Sequence, residues 1–258
     1  MGFSNIFYRF ALLSAIYLIS CNSFSSETIT LRVTHAPPHY FQDINGQWTG
    51  SGIETVKAVI IEAGFEPKYL DVPWMRALMM LEHGKLDMMM GLSKTKERSK
   101  FLHWIGPIRN ETMNLVVRKD NENFQIENLD DIAEIAYAHN KTFGLQLGAF
   151  YGEKLATRLQ QELFSEAFYT TSSLKQNLGL TSNGRILGFF ENKTSIAYRI
   201  KHDPEYKQLV LHSFELNKAP VFCGISKKTS PESYQKLQQA FDKLEQNGTL
   251  DKIRNKQW

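Results

Sequence analysis

Arg98 closes the segment Thr95-Lys-Glu-Arg98, and Ser93 stands five residues before it. A guanidinium presents a planar fork that pairs bidentately with a carboxylate, and it keeps its charge throughout the physiological range. An arginine behind two hydroxyl residues is therefore equipped to hold an anion. The same spacing suits a solvated arginine at the start of a lysine-rich helix, and spacing alone does not choose between them. Trp74 can wall a pocket or simply sit in a core, and Arg76 can supply a second cation or pair with Glu82 or Asp87. Other reactive types lack the spacing that catalysis needs. Of seven histidines, His35 and His39 flank Pro37-Pro38 and cannot share a helical face as a metal pair would. Cys223 lies in the apolar run Val221-Phe-Cys-Gly-Ile225 and reads as a buried structural thiol. No His-Glu-x-x-His, Gly-x-Ser-x-Gly or Walker A pattern occurs, and Gly50-Ser-Gly52 lacks the third glycine of a dinucleotide loop. These residues point to binding without chemistry, with no cofactor and no metal.

Charge excludes one partner class. The 258 residues carry a net charge of only +3, and the basic stretch from Lys94 to Lys100 is interrupted by Glu97. A nucleic-acid footprint needs a denser basic patch, so no nucleic-acid partner is expected. At the N-terminus, Arg9 precedes the apolar stretch from Phe10 to Ile19. That stretch is too short to span a bilayer and suits a secretory leader. It ends in Leu18-Ile-Ser-Cys21, which resembles the lipobox of bacterial lipoproteins and implies a leader over residues 1–20 with Cys21 acylated. The alternative is ordinary cleavage near Ser25 or Ser26. Either route delivers the chain to the periplasm, with or without a lipid anchor. Both leave Cys223 without a partner for an intramolecular disulfide.

The elements that must position these residues alternate in period. Thr28–Val33 alternates polar and apolar residues as a strand does, and Ile53, Val56, Val59, Ile60 and Ala63 share one helical face up to Gly64. Residues 66–70 form a second strand candidate. Trp74, Leu78 and Leu81 give another helical stripe before Gly84, and residues 87–90 a third, buried strand. This βαβαβ order predicts a sheet with parallel pairs and helices packed on it. Further on, residues 142–147 read as a strand and residues 151–164 as one helix. Residues 186–190 and 195–200 are shorter elements. Ser230-Pro231 starts a closing helix with a capping hydroxyl and proline at its first position. Its apolar face is Tyr234, Leu237, Ala240, Phe241 and Leu244.

Several stretches, in order, resemble the bacterial extracellular solute-binding proteins of family 3, typified by the polar-amino-acid binders of ABC importers. They share their fold with the ligand-binding domains of ionotropic glutamate receptors. The matching stretches are Pro37-Pro-His-Tyr-Phe41, Gly46-Gln-Trp-Thr-Gly50, Val72-Pro-Trp-Met-Arg76, Leu81-Glu-His-Gly-Lys-Leu-Asp87 and Gly91-Leu-Ser-Lys-Thr-Lys-Glu-Arg98. Trp104-Ile-Gly-Pro107, Asn114-Leu-Val-Val-Arg-Lys119 and the tail from Glu245 to Ile253 complete the set. The resemblance implies a periplasmic binding protein-like type II α/β fold, with two lobes joined by two crossing strands. Lobe 1 would take residues 27–112 and 222–258 and lobe 2 residues 113–221, with crossings near Glu111 to Arg118 and Val221 to Ser226. It also implies that Arg98 holds a ligand carboxylate, with Ser93, Gly91, Trp74, Tyr40, His39, Gly148, Ala149 and Asn192 around the ligand.

The chain departs from the amino-acid binders at the amine end. Ala149 and Phe150 follow Gly148, where the family has a hydroxyl, and Asn192 falls where a second-lobe Asp takes the ligand ammonium, with Glu191 beside it. Ala36 stands where an aromatic stacks on the ligand, with His39 and Tyr40 as nearby substitutes. The resemblance thus implies a monomeric solute-binding protein that captures a small polar or anionic metabolite, an amino acid by family default, for an ABC-type importer. Its partners would be a carboxylate-bearing small molecule and a membrane permease or receptor. The alternatives are a ligand-binding sensor subunit for a membrane receptor and, further off, a dehydratase-like enzyme on the same fold.

Overall fold

The computed structural model describes residues 27–256 and residue 258; the leader and Cys21 fall outside these residues. Ten strands are present among them: β1 Thr28–Val33, β2 Phe41–Gln42, β3 Trp48–Thr49, β4 Glu66–Asp71, β5 Met88–Leu92, β6 Leu102–Arg118, β7 Phe143–Gln146, β8 Phe168–Thr171, β9 Gly188–Asn192 and β10 Leu209–Ser226. The helices are α1 Ser51–Glu62, α2 Trp74–Glu82, α3 Lys96–Ser99, α4 Leu129–Ala138, α5 Glu153–Arg158, α6 Glu162–Ser165, α7 Leu174–Ser182, α8 Lys193–His202, α9 Pro231–Gln246 and α10 Thr249–Arg254. Eight strands form one mixed sheet in the order β4-β1-β5-β10-β6-β9-β7-β8. The parallel pairs lie at its two ends, and β6 and β10 run antiparallel through the middle.

Those two central strands, of 17 and 18 residues, serve both ends of the molecule. Ile105 and Ile108 of β6 and Val221, Cys223 and Ile225 of β10 pack with β1, α1, α9 and α10. Further along the same strands, Leu115, Val117 and Val210 pack with α4 and β7. The result is two lobes, each with its own cores, joined by a pair of crossing strands. Between the two ends the β6–β10 ladder is irregular, with register shifts from Leu211 to Glu215, Glu215 to Asn217 and Val221 to Cys223.

Side-chain alternation explains why each half of the sheet is covered on both faces. Met88 and Met90 of β5 join the core under α1 and α9, whereas Met89 joins the core under α2. In the other lobe Phe190 faces one core and Phe189 the opposite one. On β1, Ile29, Leu31 and Val33 are buried on one face, which sends Arg32 to the other.

The long helix expected over residues 151–164 is two short ones, α5 and α6, with a break at Leu159–Gln161. The reason is phase. Leu155 and Leu159 face the core, and the helical period would next bury Leu163. Leu163 is instead 74% exposed and Phe164 4% exposed, a one-residue shift that a continuous helix cannot make. The closing helix forms as expected, with the Ser230 hydroxyl accepting the Ser233 backbone N–H at 3.0 Å and Pro231 in the first turn.

Candidate ligand-binding cleft

A cavity of about 850 Å³ lies between the lobes. Its floor is the crossing itself, because Arg109, Glu111 and Met113 of β6 and Asn217, Ala219 and Val221 of β10 all line it. From the first lobe the walls come from β1, the segment before α1, the start of α2 and the turn between β5 and α3. The second lobe supplies the turn after β7 and the starts of α7 and α8.

Arg98 sits on α3, directly after β5, where the turn out of a buried strand delivers side chains to the cleft. It is 7% exposed, and the Thr95 hydroxyl caps the helix by accepting its backbone N–H at 3.2 Å. One guanidinium nitrogen donates to the Ser93 carbonyl at 2.9 Å and the other to the Gly148 carbonyl of the opposite lobe at 3.0 Å. Burial pulls its pKa down to about 10. Among the described residues no carboxylate forms an ion pair with it. A desolvated cation with only neutral carbonyl partners is an incomplete arrangement.

Trp74 begins α2 and donates its indole N–H to the same Gly148 carbonyl at 3.0 Å. Gly148 (φ +75°) therefore carries two cross-lobe bonds on one carbonyl, and a Cβ there would run into Met75 of the first lobe. The Trp74 ring lies under two guanidinium carbons, Arg32 at 5.4 Å and Arg98 at 5.8 Å from its centroid. On the second lobe, Arg199 of α8 donates to the His35 carbonyl of the first lobe and to the Tyr206 hydroxyl.

Of the residues singled out in the sequence, Arg98, Ser93, Gly91, Trp74, Tyr40, His39, Ala149 and Asn192 line the cavity. Gly148 is not one of its lining residues and contributes the carbonyl just described. Gly91 (φ +70°) brings the backbone close beneath a charged cluster, since a Cβ would sit 3.1 Å from the Tyr40 hydroxyl and 3.5 Å from Arg109. In that cluster Arg109 donates to Tyr40 at 2.9 Å and pairs with Glu111. His39 bonds Ser51 through Nδ1 at 2.6 Å, and burial together with the Arg109 charge pushes its pKa down to about 3, so the ring is neutral. Asn192 spends its side-chain oxygen on the Ser195 backbone N–H at 2.9 Å, as the cap of α8. Glu191 beside it lines the cavity, with burial raising its carboxyl to about 7. Arg76 neither lines the cavity nor pairs with Glu82 or Asp87; Asp87 accepts from the Thr30 N–H at 2.9 Å and the Thr229 hydroxyl at 3.1 Å.

Sequence reasoning did not reach Arg32, Arg109, Glu111 or Arg199. The available signals were the two-residue spacing of Arg109 and Glu111, which puts both on one face of a strand, and the four-residue spacing of Ser195 and Arg199 on one helix face.

Among the described residues no group of His, Cys, Asp and Glu is placed to hold a metal ion, and no helix is long and apolar enough to cross a membrane. A family model described as bacterial extracellular solute-binding proteins, family 3, matches residues 29–258. Comparison with curated proteins finds no match. Among solved structures, an amino acid ABC transporter substrate-binding protein from Streptococcus pneumoniae bound to L-arginine is similar at a TM-score of 0.71 and 21% identity, covering 89% of this chain and 93% of that one. A histidine kinase sensor domain with similarity to periplasmic binding proteins superposes at 0.74 and 18% identity, covering 89% and 95%. An ancestral amino acid-binding protein, described as a precursor of cyclohexadienyl dehydratase, does so at 0.70 and 23%, covering 88% and 93%. Likeness at these identities speaks for the fold, which is that of the type II periplasmic binding proteins.

Proposed function

The chain belongs to the bacterial extracellular solute-binding proteins, family 3, and from that premise we propose that it captures a small carboxylate-bearing solute between its lobes and releases it unchanged. The observation that carries this reading is Arg98, a buried guanidinium in the cleft whose hydrogen-bond acceptors among the described residues are neutral carbonyls. A ligand carboxylate completes its partners, and because the cleft draws on both lobes, bound ligand favours the closed arrangement. In this reading residues 27–112 and 222–258 act as one lobe and residues 113–221 as the other. Residues 1–20 are a leader, Cys21 is acylated after export to the periplasm, and the closed protein, as a monomer, delivers its solute to the permease of an ABC importer.

Calorimetric titration of the purified protein with carboxylates and amino acids tests the capture. Replacing Arg98 with Ala should weaken the ligand so found by about 30-fold or more, the usual cost of losing a buried charge-assisted anchor. Arg98→Lys should recover only part of the loss, because an ammonium cannot reproduce the fork. Equal affinity in Arg98→Ala and wild type would sink the reading. Recovery of an altered solute after incubation would assign turnover instead. Loss of uptake in cells lacking the chain separates supply of a permease from signalling.

A further inference from the structure

Five carboxylates line the cleft, Asp71, Glu111, Glu191, Asp203 and Glu205, but they do not pair with all of its arginines. Four arginines line it: Arg32, Arg98, Arg109 and Arg199. Arg109 is committed to Glu111. Arg199 shares its corner with Glu191 and Asp203, all three acting on the Tyr206 hydroxyl. Arg32 and Arg98 remain, both against the Trp74 ring at 5.4 and 5.8 Å. Arg32 leaves β1 on the face opposite Leu31 and Val33, and its Nε donates to the Val72 carbonyl at 3.1 Å. Asp71 is exposed and forms no ion pair with it, although its charge is felt there. Burial works against the charge of both guanidiniums.

The ring face offsets only part of the cost of burying each guanidinium. A single carboxylate would neutralise one of them. We propose that Arg32 and Arg98, held against Trp74, form a two-cation subsite that selects solutes carrying two negative charges, a dicarboxylate or a phosphomonoester, over monocarboxylates. This rests on the capture reading above for Arg98 and extends it by assigning Arg32 to specificity. The source of the second charge is left to the chemistry that both candidates share, a compact anion that a guanidinium fork can grip.

The experiment is a set of calorimetric titrations with matched probes: L-glutamate against L-glutamine, succinate against its monoamide, and glycerol 3-phosphate. The acid of each matched pair, or glycerol 3-phosphate in place of both acids, should bind at least about ten-fold more tightly than the amides. Arg32→Gln should cost the dianion about ten-fold or more while leaving its amide within about two-fold. Arg32→Lys keeps the charge but gives up the guanidinium's geometry toward Val72, so it should keep the preference even if the fold is somewhat less stable. A merely structural role for Arg32 would instead lower both members of a pair alike in both variants, and that result overturns the proposal. So does an amide that binds as tightly as its acid. If L-glutamine binds tightly and Arg98→Ala abolishes that binding, capture by Arg98 stands and the two-charge subsite falls. If none of the probes binds, the two-charge subsite falls and capture rests on the wider titration with carboxylates and amino acids.

Discussion

Glu191 and His39 carry opposite pH dependences within one cleft. Glu191 titrates near 4.5 when unperturbed and near 7 in the folded chain, because burial outweighs the Asn192 N–H and the Arg199 charge that favour its anion. Between those values the folded state holds the extra proton, so this group's contribution is full below pH 4.5 and is lost as pH rises through 7. His39 runs the other way. Its folded pKa is depressed from 6.5 to about 3, so its contribution is present above 6.5 and is lost as pH falls. Between pH 4.5 and 6.5 the two slopes oppose. Glu191→Gln should remove the first, an effect on the order of 2–3 kcal/mol. Urea unfolding of this variant should then show stability rising with pH between 4.5 and 6.5, where the opposing slopes hold the unaltered protein nearly flat; identical profiles would refute the assignment. Arg98 was legible only through the family resemblance, since its spacing from Ser93 and Thr95 suits a solvated arginine equally well. The roles of Asn192 and Glu191 were not, since only the geometry of α8 reveals that the amide is spent on a cap and leaves the adjacent acid in the cavity.

At the scale of elements, two caps fix helices that pack on different cores. Asn192 begins α8, which carries Arg199 into the cleft, and Ser230 begins α9, which covers the first lobe's core. Alanine at either position should cost about 1 kcal/mol by chemical denaturation. Asn192→Asp should cost less than Asn192→Ala, because a carboxylate caps as well and suits a helix N-terminus. Equal losses for Asp and Ala would assign the effect to packing. α1, α2 and α9 were legible because their apolar positions recur at helical spacing over two turns or more. The break between α5 and α6 was not, since Leu163 and Phe164 are both apolar and only packing decides which is buried. Nor was the length of β6 and β10. Their middle residues, such as Glu111 and Lys218, are polar, and a pattern-based reading stops where apolar alternation does.

At the scale of the molecule, one core is assembled from the two ends of the described chain. Leu237, Ala240, Phe241, Leu244 and Leu250 are buried in the same core as Ile29, Leu31 and Ile53. Burying a leucine or phenylalanine contributes about 1.5–3 kcal/mol, so the four such residues among them together rival the 5–15 kcal/mol that stabilises a typical domain. A chain ending at Lys228 should lose the cooperative melting of the first lobe. The second core, built from Leu115, Phe143, Leu155 and Phe190, should keep a separate transition. Differential scanning calorimetry distinguishes this from a single shifted transition, which would mean that the lobes unfold as one unit. The closing strand has a further consequence, in time rather than space. Ile225 pairs with Met88 across more than a hundred intervening residues. A ribosome therefore releases β1, α1 and β5 long before the partner that completes their sheet exists. Such distant pairings are slow to form. β1 finds β4 and β5 early, but the far edge of β5 must wait unpaired until β10 has been made.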